Sequence, residues 1–381
     1  WVCSWILNDT RYGYNTAFGG QAGKELTTGV YNTLLGYAAG GAGIVTGNHN
    51  TCVGHLAGTD LTSGTYNVCV GTSSGSNITT GLNNVAIGVE ALKTNVDGDN
   101  NTAVGYGALL TFEADSDGHG GNTAVGKDAG EFLSTGTGNT FIGNISGQGI
   151  TGTKLTGDNN TCVGHSSGLL LQGTATSNVI IGADAGVGTT TAQYNTFIGT
   201  NSGDNNTTGI ENTCVGYNCA TQDGSATNQV VIGNNLTATK DNAVFIGNDT
   251  SHIENDFNSD ATWNHSSDVR QKTDIKDDVL GLDFINNLKT RTYKHKSPSE
   301  FPKEWTAYDP DDKEPMGGDK VIHGFIAQEV KEALDNANVD TFQGWSEGID
   351  GRQRVSFEAF VLPLIKAVQE LRNEVNKLKG K

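Results

Sequence analysis

Asn84-Val-Ala-Ile-Gly88 and Asn101-Thr-Ala-Val-Gly105 are two copies of one short phrase: an asparagine, two residues, an aliphatic or Phe residue, then a glycine. Its glycine recurs at Gly19, Gly36, Gly54, Gly71, Gly88, Gly105, Gly126, Gly143, Gly164, Gly182, Gly199 and Gly216, with looser copies ending at Gly233 and Gly247. Most steps are 17 residues long, and four are 18 or 21. Self-similarity at a fixed period of this length marks a solenoid, in which each repeat is one coil stacked on the next. A second glycine lies four residues after most of the first, from Gly23 and Gly40 to Gly186 and Gly203, usually behind Ala or Ser. Each unit therefore reads as a short strand, a tight corner, a small-residue stretch and a second corner.

A helical reading fails, because Gly in a helix costs about 1 kcal/mol relative to Ala and every unit carries more than one. Glycine suits corners that need positive φ or close backbone approach. A single coil cannot bury an apolar face, whereas stacked coils pair their strands and share a thin core. The equivalent asparagines, Asn15, Asn32, Asn50, Asn67, Asn84, Asn101, Asn122, Asn139, Asn160, Asn178, Asn195 and Asn212, are expected to form a ladder whose amides bond the coils above and below. The absence of Pro from residues 1–262 fits interior strands that must donate every N–H. The fold predicted is mainly β, a parallel β-solenoid or β-roll of about 14 coils, making a rod about 65 Å long at the usual strand spacing.

Outside the repeats the texture changes. Residues 1–262 hold 45 of the 53 Gly and 6 Lys and Arg against 21 Asp and Glu, a net −15; the remaining 119 residues hold all 5 Pro and 18 Lys and Arg against 21 Asp and Glu, a net −3. Two different physical objects share one chain: repeats over 1–250, a connector over 251–266 and a second domain over 267–381. The acidic repeats repel phosphate backbones, so nucleic acid is not expected as a partner. No run reaches the roughly 18 apolar residues of a membrane helix, so membrane insertion is not expected. The chain opens on Trp1 with no basic stretch leading into an apolar core, so no signal peptide is expected and the sequence reads as a fragment of something longer. Trp1, Trp5, Ile6 and Leu7 are expected to pack on a preceding domain.

Cys52, Cys69, Cys162 and Cys214 stand two before the motif glycine, where Ala, Phe or Leu stands in other coils. They read as small buried side chains rather than disulfide partners. Cys214 and Cys219 lack the second pair that a zinc site needs. His55 and His165 follow motif glycines where Tyr37, Tyr106 and Tyr217 stand elsewhere, which places them in a surface stripe. Ala114-Asp-Ser-Asp-Gly-His-Gly-Gly121 alternates acids as a calcium loop does, but it has no Glu at the bidentate position. It reads as an extruded loop, the kind of element in which recognition is expected. No metal and no cofactor is expected.

Beyond residue 263 the pattern is α+β. Residues 278–289 have helical apolar spacing, Arg291-Thr-Tyr-Lys294 reads as a strand, residues 300–319 as a long loop and residues 326–334 as a helix. The tail steps through Leu364, Val368, Leu371, Val375 and Leu378, a coiled-coil seam with Pro363 near its helix start. Alternating Val and Leu favour two parallel strands, and two heptads are too few to assemble alone.

The repeats resemble the heads of trimeric autotransporter adhesins and similar repeats in phage fibres, left-handed parallel β-rolls that pack as trimers. The resemblance covers roughly residues 10–250 and implies a homotrimer. Ser266-Ser-Asp-Val-Arg-Gln-Lys-Thr-Asp-Ile275, His323-Gly-Phe-Ile-Ala-Gln-Glu-Val330 and the terminal helix resemble the intramolecular chaperone of phage endosialidases and tail fibres. Members of that family assist trimerisation of the fibre before them and then cut themselves off. The resemblance implies cleavage between Ser266 and Ser267, with Ser267 as nucleophile and Lys272, five residues on, as base; Ser266 at the same address has Gln271 at its fifth residue, which cannot accept the proton. A Ser hydroxyl is a weak nucleophile near neutral pH, and a desolvated Lys is one neighbour that can activate it. Without the resemblance, Asp268, Arg270 and Lys272 read as a solvated charged strand.

The leading expectation is a fibre or adhesin tip carried on a virion, folded in the host cytoplasm as a homotrimer, that touches a cell-surface receptor or glycan. A bacterial surface adhesin is the second reading and calls for a membrane anchor after the repeats. A glycan-degrading tailspike is the third; it calls for paired carboxylates across a cleft, and no acidic pair recurs in the coils.

Overall fold

The computed structural model describes residues 13–41, 43–114, 119–257, 264–265, 267–305, 307–315 and 318–380. The readings placed on Trp1, Trp5, Ile6 and Leu7, on residues 115–118 of the acidic loop and on Ser266 lie outside the described residues. The chain divides into two compact units, Trp1–Ser267 and Asp268–Lys381.

The first unit is a solenoid. Its strands are Thr16–Phe18 (β1), Thr33–Leu35 (β2), Thr51–Val53 (β3), Val68–Val70 (β4), Val85–Ile87 (β5), Thr102–Val104 (β6), Thr123–Val125 (β7), Thr140–Ile142 (β8), Thr161–Val163 (β9), Val179–Ile181 (β10), Thr196–Ile198 (β11), Thr213–Val215 (β12), Gln229–Asn234 (β13) and Ala243–Asn248 (β14). Each pairs with the next in parallel, and Ser251–Asp256 (β15) and Asn264–His265 (β16) close the sheet antiparallel. Register is kept across the longer steps: Thr102, Ala103 and Val104 face Thr123, Ala124 and Val125. The four extra residues of such a coil do not shift the register of its strand.

Strand alternation sends the middle residue of each triplet inward. Leu34, Cys52, Ala86, Phe141, Ile180 and Phe197 are all fully buried, while their neighbours on either side keep partial exposure. Core volume is conserved by exchange between walls. Phe141 fits because Gly130 and Gly147 stand against its ring, where a Cβ would sit 2.6 and 2.2 Å from ring carbons. In the coils whose strand centre is Ala86 or Ala103, the second corner carries Leu92 or Leu109 with φ 51° and 50° in place of glycine. Both leucines are fully buried and add to the core beside the small strand centres.

The asparagine ladder forms as expected from the repeat. Asn67 donates its backbone N–H (3.0 Å) and its Nδ2 (3.1 Å) to Oδ1 of Asn50, and the same Nδ2 donates to the Gly81 carbonyl at 2.8 Å. The pattern runs coil by coil to Gln229, whose N–H donates to Oδ1 of Asn212 at 3.0 Å. From Asn50 to Asn212 these amides are buried and each is hydrogen-bonded to the coils beside it, which is what buried polar groups require. The motif glycines make the close stacking possible. At Gly105, with φ 137°, a Cβ would lie 2.3 Å from the Gly126 carbonyl oxygen of the next coil.

Cys52, Cys69, Cys162, Cys214 and Cys219 are buried and free, as small core side chains. A corner absent from the sequence reading precedes each ladder asparagine. There Tyr31, His49, Tyr66 and Tyr194 adopt φ near 60°, and the rings of Tyr14, Tyr31, His49 and Tyr66 stack at centroid spacings of 5.0, 4.8 and 4.9 Å.

Among the described residues the second unit has three α-helices, Leu282–Asn287 (α1), Ala327–Asn336 (α2) and Val361–Lys379 (α3). Its strands are the antiparallel pair Arg291–Tyr293 (β17) with Ile322–Gly324 (β18) and the hairpin Trp345–Glu347 (β19) with Gln353–Val355 (β20). Leu280, Phe284, Val330, Ala333, Leu334 and Phe360 form its core, with Phe325, Phe342 and Trp345 packed against them. α1 is shorter than its apolar spacing predicts. Gly281 precedes it, Leu280 turns into the core, and Leu288 at ψ 140° ends it on the way into β17. The β19–β20 hairpin was not legible, since both strands place polar residues at outer positions and are only three residues long.

Candidate cleavage site and chaperone core

The segment that follows the solenoid sheet is short, polar and held by its own charges. Asp268 caps a single 3-10 turn over Val269–Gln271, accepting from the Arg270 N–H at 2.8 Å. The Arg270 guanidinium returns over the same carboxylate, with Nε to Oδ1 at 2.9 Å and Nη2 to Oδ2 at 2.6 Å. These bonds hold the Asp268 carboxyl below the usual carboxylate range. Charge-assisted, two-pronged pairing of this kind fixes geometry as well as charge. The segment is thus a clamped turn and not the charged strand of the simplest reading.

Ser267 stands immediately before the capping Asp268, and Lys272 closes the turn, its backbone N–H donating to the Val269 carbonyl at 3.1 Å. Both side chains are exposed, as is every residue from 269 to 279. The turn therefore places the sequence-predicted nucleophile and base on one exposed segment, at its two ends. A lysine becomes a base at neutral pH when water is removed from it, and residues 269–279 provide no such burial by themselves.

The Gly324-Phe-Ile-Ala-Gln-Glu329 motif has a structural explanation in the same unit. Gly324 ends β18, where a Cβ would meet the Tyr293 hydroxyl at 3.1 Å and the Phe357 ring at 3.2 Å. Phe325 stacks on Phe360 at 5.0 Å, and Ala327 begins α2. Glu329 in the first turn of α2 accepts from Nε of Arg291 at 3.0 Å and also from its Nη2, tying β17 to the helix. Arg291 holds the Glu329 carboxyl below its ordinary value. Far along the chain, Glu370 of α3 accepts the Leu282 N–H at 2.7 Å, supplying α1 with the cap that Gly281 cannot. Sequence reading missed Arg291 and Glu370, because each acts through a partner 38 or 88 residues away.

α3 leaves its seam wet. Leu364, Val368, Leu371, Val375 and Leu378 are between 37% and 72% exposed, while Pro363 and Ala367 face the core. Pro363 sits in the first turn, where a missing N–H costs nothing.

No curated protein matches the chain, and no solved structure does. Residues 267–339 match the family described as the chaperone of endosialidase, a match that begins on Ser267 and supports a chaperone domain at the C-terminal end.

Proposed function

We propose that the chain is a homotrimeric viral tail fibre or tailspike whose C-terminal unit aligns three chains and then severs itself between Ser266 and Ser267. The observation that carries this reading is the family match opening on Ser267, directly where the solenoid unit gives way to the second unit. Two exposed apolar stripes support the trimer. One is the α3 seam. The other runs along the solenoid, where Phe18, Ile87, Ile142, Ile181, Ile198 and Ile246 keep between 37% and 49% of their surface in water.

In this reading the assembled trimer desolvates Lys272 and so turns it into a base. The Ser267 hydroxyl loses its proton to the Lys272 amine, and its Oγ attacks the carbonyl carbon of Ser266. The peptide C–N bond breaks as the Ser267 nitrogen takes up the proton, leaving an ester between the two residues. Water hydrolyses the ester, giving a carboxylate at Ser266 and a free amino terminus at Ser267. Cleavage then reports correct assembly, because single chains leave Lys272 exposed.

Mass spectrometry and oligomer size on the expressed protein test this. A trimer of chains ending at Ser266 is expected, and Ser267→Ala or Lys272→Met should leave uncut trimers. Folded trimers of intact wild-type chains would refute the cleavage.

A further inference from the structure

The corner that precedes each ladder asparagine carries a side chain in every coil from Tyr31 to Tyr194 except two consecutive ones, Gly121 and Gly138. At the first of them, Gly121, the surface opens into a cleft of about 460 Å³ floored by Gly120 and Gly121. Its walls are Asn100 and His119 on one side, Thr156 and Asp158 on the other, with Thr135 and Thr137 between. Both longer coils contribute, the step from Gly105 to Gly126 supplying His119 and the step from Gly143 to Gly164 supplying Thr156 and Asp158.

The lining is polar and partly pre-set. Oδ1 of Asp158 accepts from the Thr137 N–H at 2.7 Å and from its hydroxyl at 3.1 Å, which fixes that wall. Hydroxyls and an amide both donate and accept, a carboxylate accepts, and no Lys or Arg is among the lining residues. Such a surface matches a ligand whose own groups both donate and accept and that bears no negative charge. The acidic character of residues 1–262 works in the same direction, repelling anions. The volume lies in the range of small-ligand sites.

We infer that this glycine-floored cleft binds a neutral oligosaccharide. The inference rests on the reading of the solenoid as an attachment fibre, and it supplies the place and ligand class which that reading leaves open.

The test uses the full-length protein on an array of immobilised neutral gluco-, galacto-, manno- and N-acetylhexosamine oligosaccharides beside their sialylated and sulfated counterparts. Gly121→Tyr fills the cleft with a residue that Tyr31, Tyr66 and Tyr194 show the same corner accepts, at φ between 59° and 62°. A Cβ at Gly121 meets nothing within 4 Å, and the same is true of Gly152, which makes Gly152→Tyr the control. Expected is retention of at least one neutral glycan, lost tenfold or more in Gly121→Tyr and unchanged in Gly152→Tyr. Should Gly121→Tyr lose its fold by circular dichroism, Thr135→Val combined with Asn100→Ala provides the same readout. Binding confined to charged glycans, no binding at all, or binding indifferent to these substitutions overturns the site. Oligomer size and chain mass on the same samples separate the two ideas: a cleaved trimer without cleft binding removes only the cleft, and an uncut monomer removes the fibre.

Discussion

Replacing Asn139 by Ala tests whether the asparagine ladder or the apolar core sets the stability of a coil. In the native coil Nδ2 of Asn139 donates to Oδ1 of Asn122 at 3.2 Å and to the Gly157 carbonyl at 3.1 Å. Its Oδ1 accepts the N–H of Asn160 at 2.9 Å and the Nδ2 of Asn160 at 3.0 Å. Truncation leaves some of these groups served, since Asn160 Nδ2 still reaches the Ala175 carbonyl at 2.8 Å and Asn122 Oδ1 still accepts the Asn139 N–H at 2.9 Å. The Asn160 N–H and the Gly157 carbonyl lose their side-chain partner. Each buried orphan costs about 1–3 kcal/mol, so the coil loses about 4 kcal/mol, close to a thousandfold in its opening equilibrium. Because solenoid coils interact mainly with their neighbours, the loss should be local. Hydrogen exchange followed by mass spectrometry is expected to show it in peptides spanning residues 122–160, with peptides beyond Tyr194 unchanged. Thr140→Ala, one residue away and partly exposed, is the control. Equal protection in the two variants would refute the ladder as the dominant polar term.

The core also contains a polar defect: neither Nδ2 nor Oδ1 of the buried Asn206 has a hydrogen-bond partner among the described residues. Leu26, Leu61, Ile78, Leu133 and Leu171 occupy the equivalent position, seven residues after their motif glycine, so Asn206→Leu should stabilise by about 1–3 kcal/mol, read as a higher unfolding midpoint; a lower one contradicts the assignment. Gly105→Ala combines left-handed strain with a Cβ 2.3 Å from the Gly126 carbonyl, and a loss above about 3 kcal/mol is expected, whereas Gly152→Ala should stay within about 0.5 kcal/mol; equal effects in thermal melts would refute the close-stacking argument. Burial pushes the Cys162 and Cys214 thiols well above their ordinary range. Since the unfolded thiols ionise at about pH 8.5 and the folded ones do not, the thiols' contribution to stability should be constant below that pH and fall above it; Cys162→Ala should make the fall shallower, and an unchanged slope in denaturation between pH 8 and 10 would count against it.

The solenoid was legible because its determinants are repeated in sequence as they are in space. Asn101 and Gly105 each do one job in every coil, so their period is the period of the fold. Corners that depend on context were not legible. Tyr31, His49, Asn83 and Ser177 share one left-handed corner, yet no common residue type betrays it. The cleft is written in the sequence only as its floor glycines, Gly120 and Gly121, whose meaning requires knowing which residues stand in line with them. Ser267 and Lys272 were named through family resemblance, since an exposed charged segment has no intrinsic mark of chemistry. The Asp268–Arg270 clamp was within reach of the sequence, as an acid two residues before an arginine at a turn.

In the proposed trimer, a repeated stripe gives a reason for help at one end. Burying the half-exposed aliphatic residue of one strand contributes about 1 kcal/mol, so a few coils cannot offset the loss of free motion on association, while fourteen can. The coils are nearly alike, however. Three rods displaced by one coil would forfeit only one coil's share, so a trimer held by the stripe would have its register only weakly specified. The α3 seam, with two heptads, has the opposite character: too short to hold chains together alone, but present once per chain and therefore unambiguous. In the proposed trimer, register comes from the C-terminal unit and cohesion from the solenoid, and cutting afterwards sacrifices nothing the rod still needs. A chain made to end at Ser266 is accordingly expected to give trimers of unequal overlap, visible as a spread of rod lengths by electron microscopy. The full-length protein should give one length, and a single length from both would mean that the coils fix their own register.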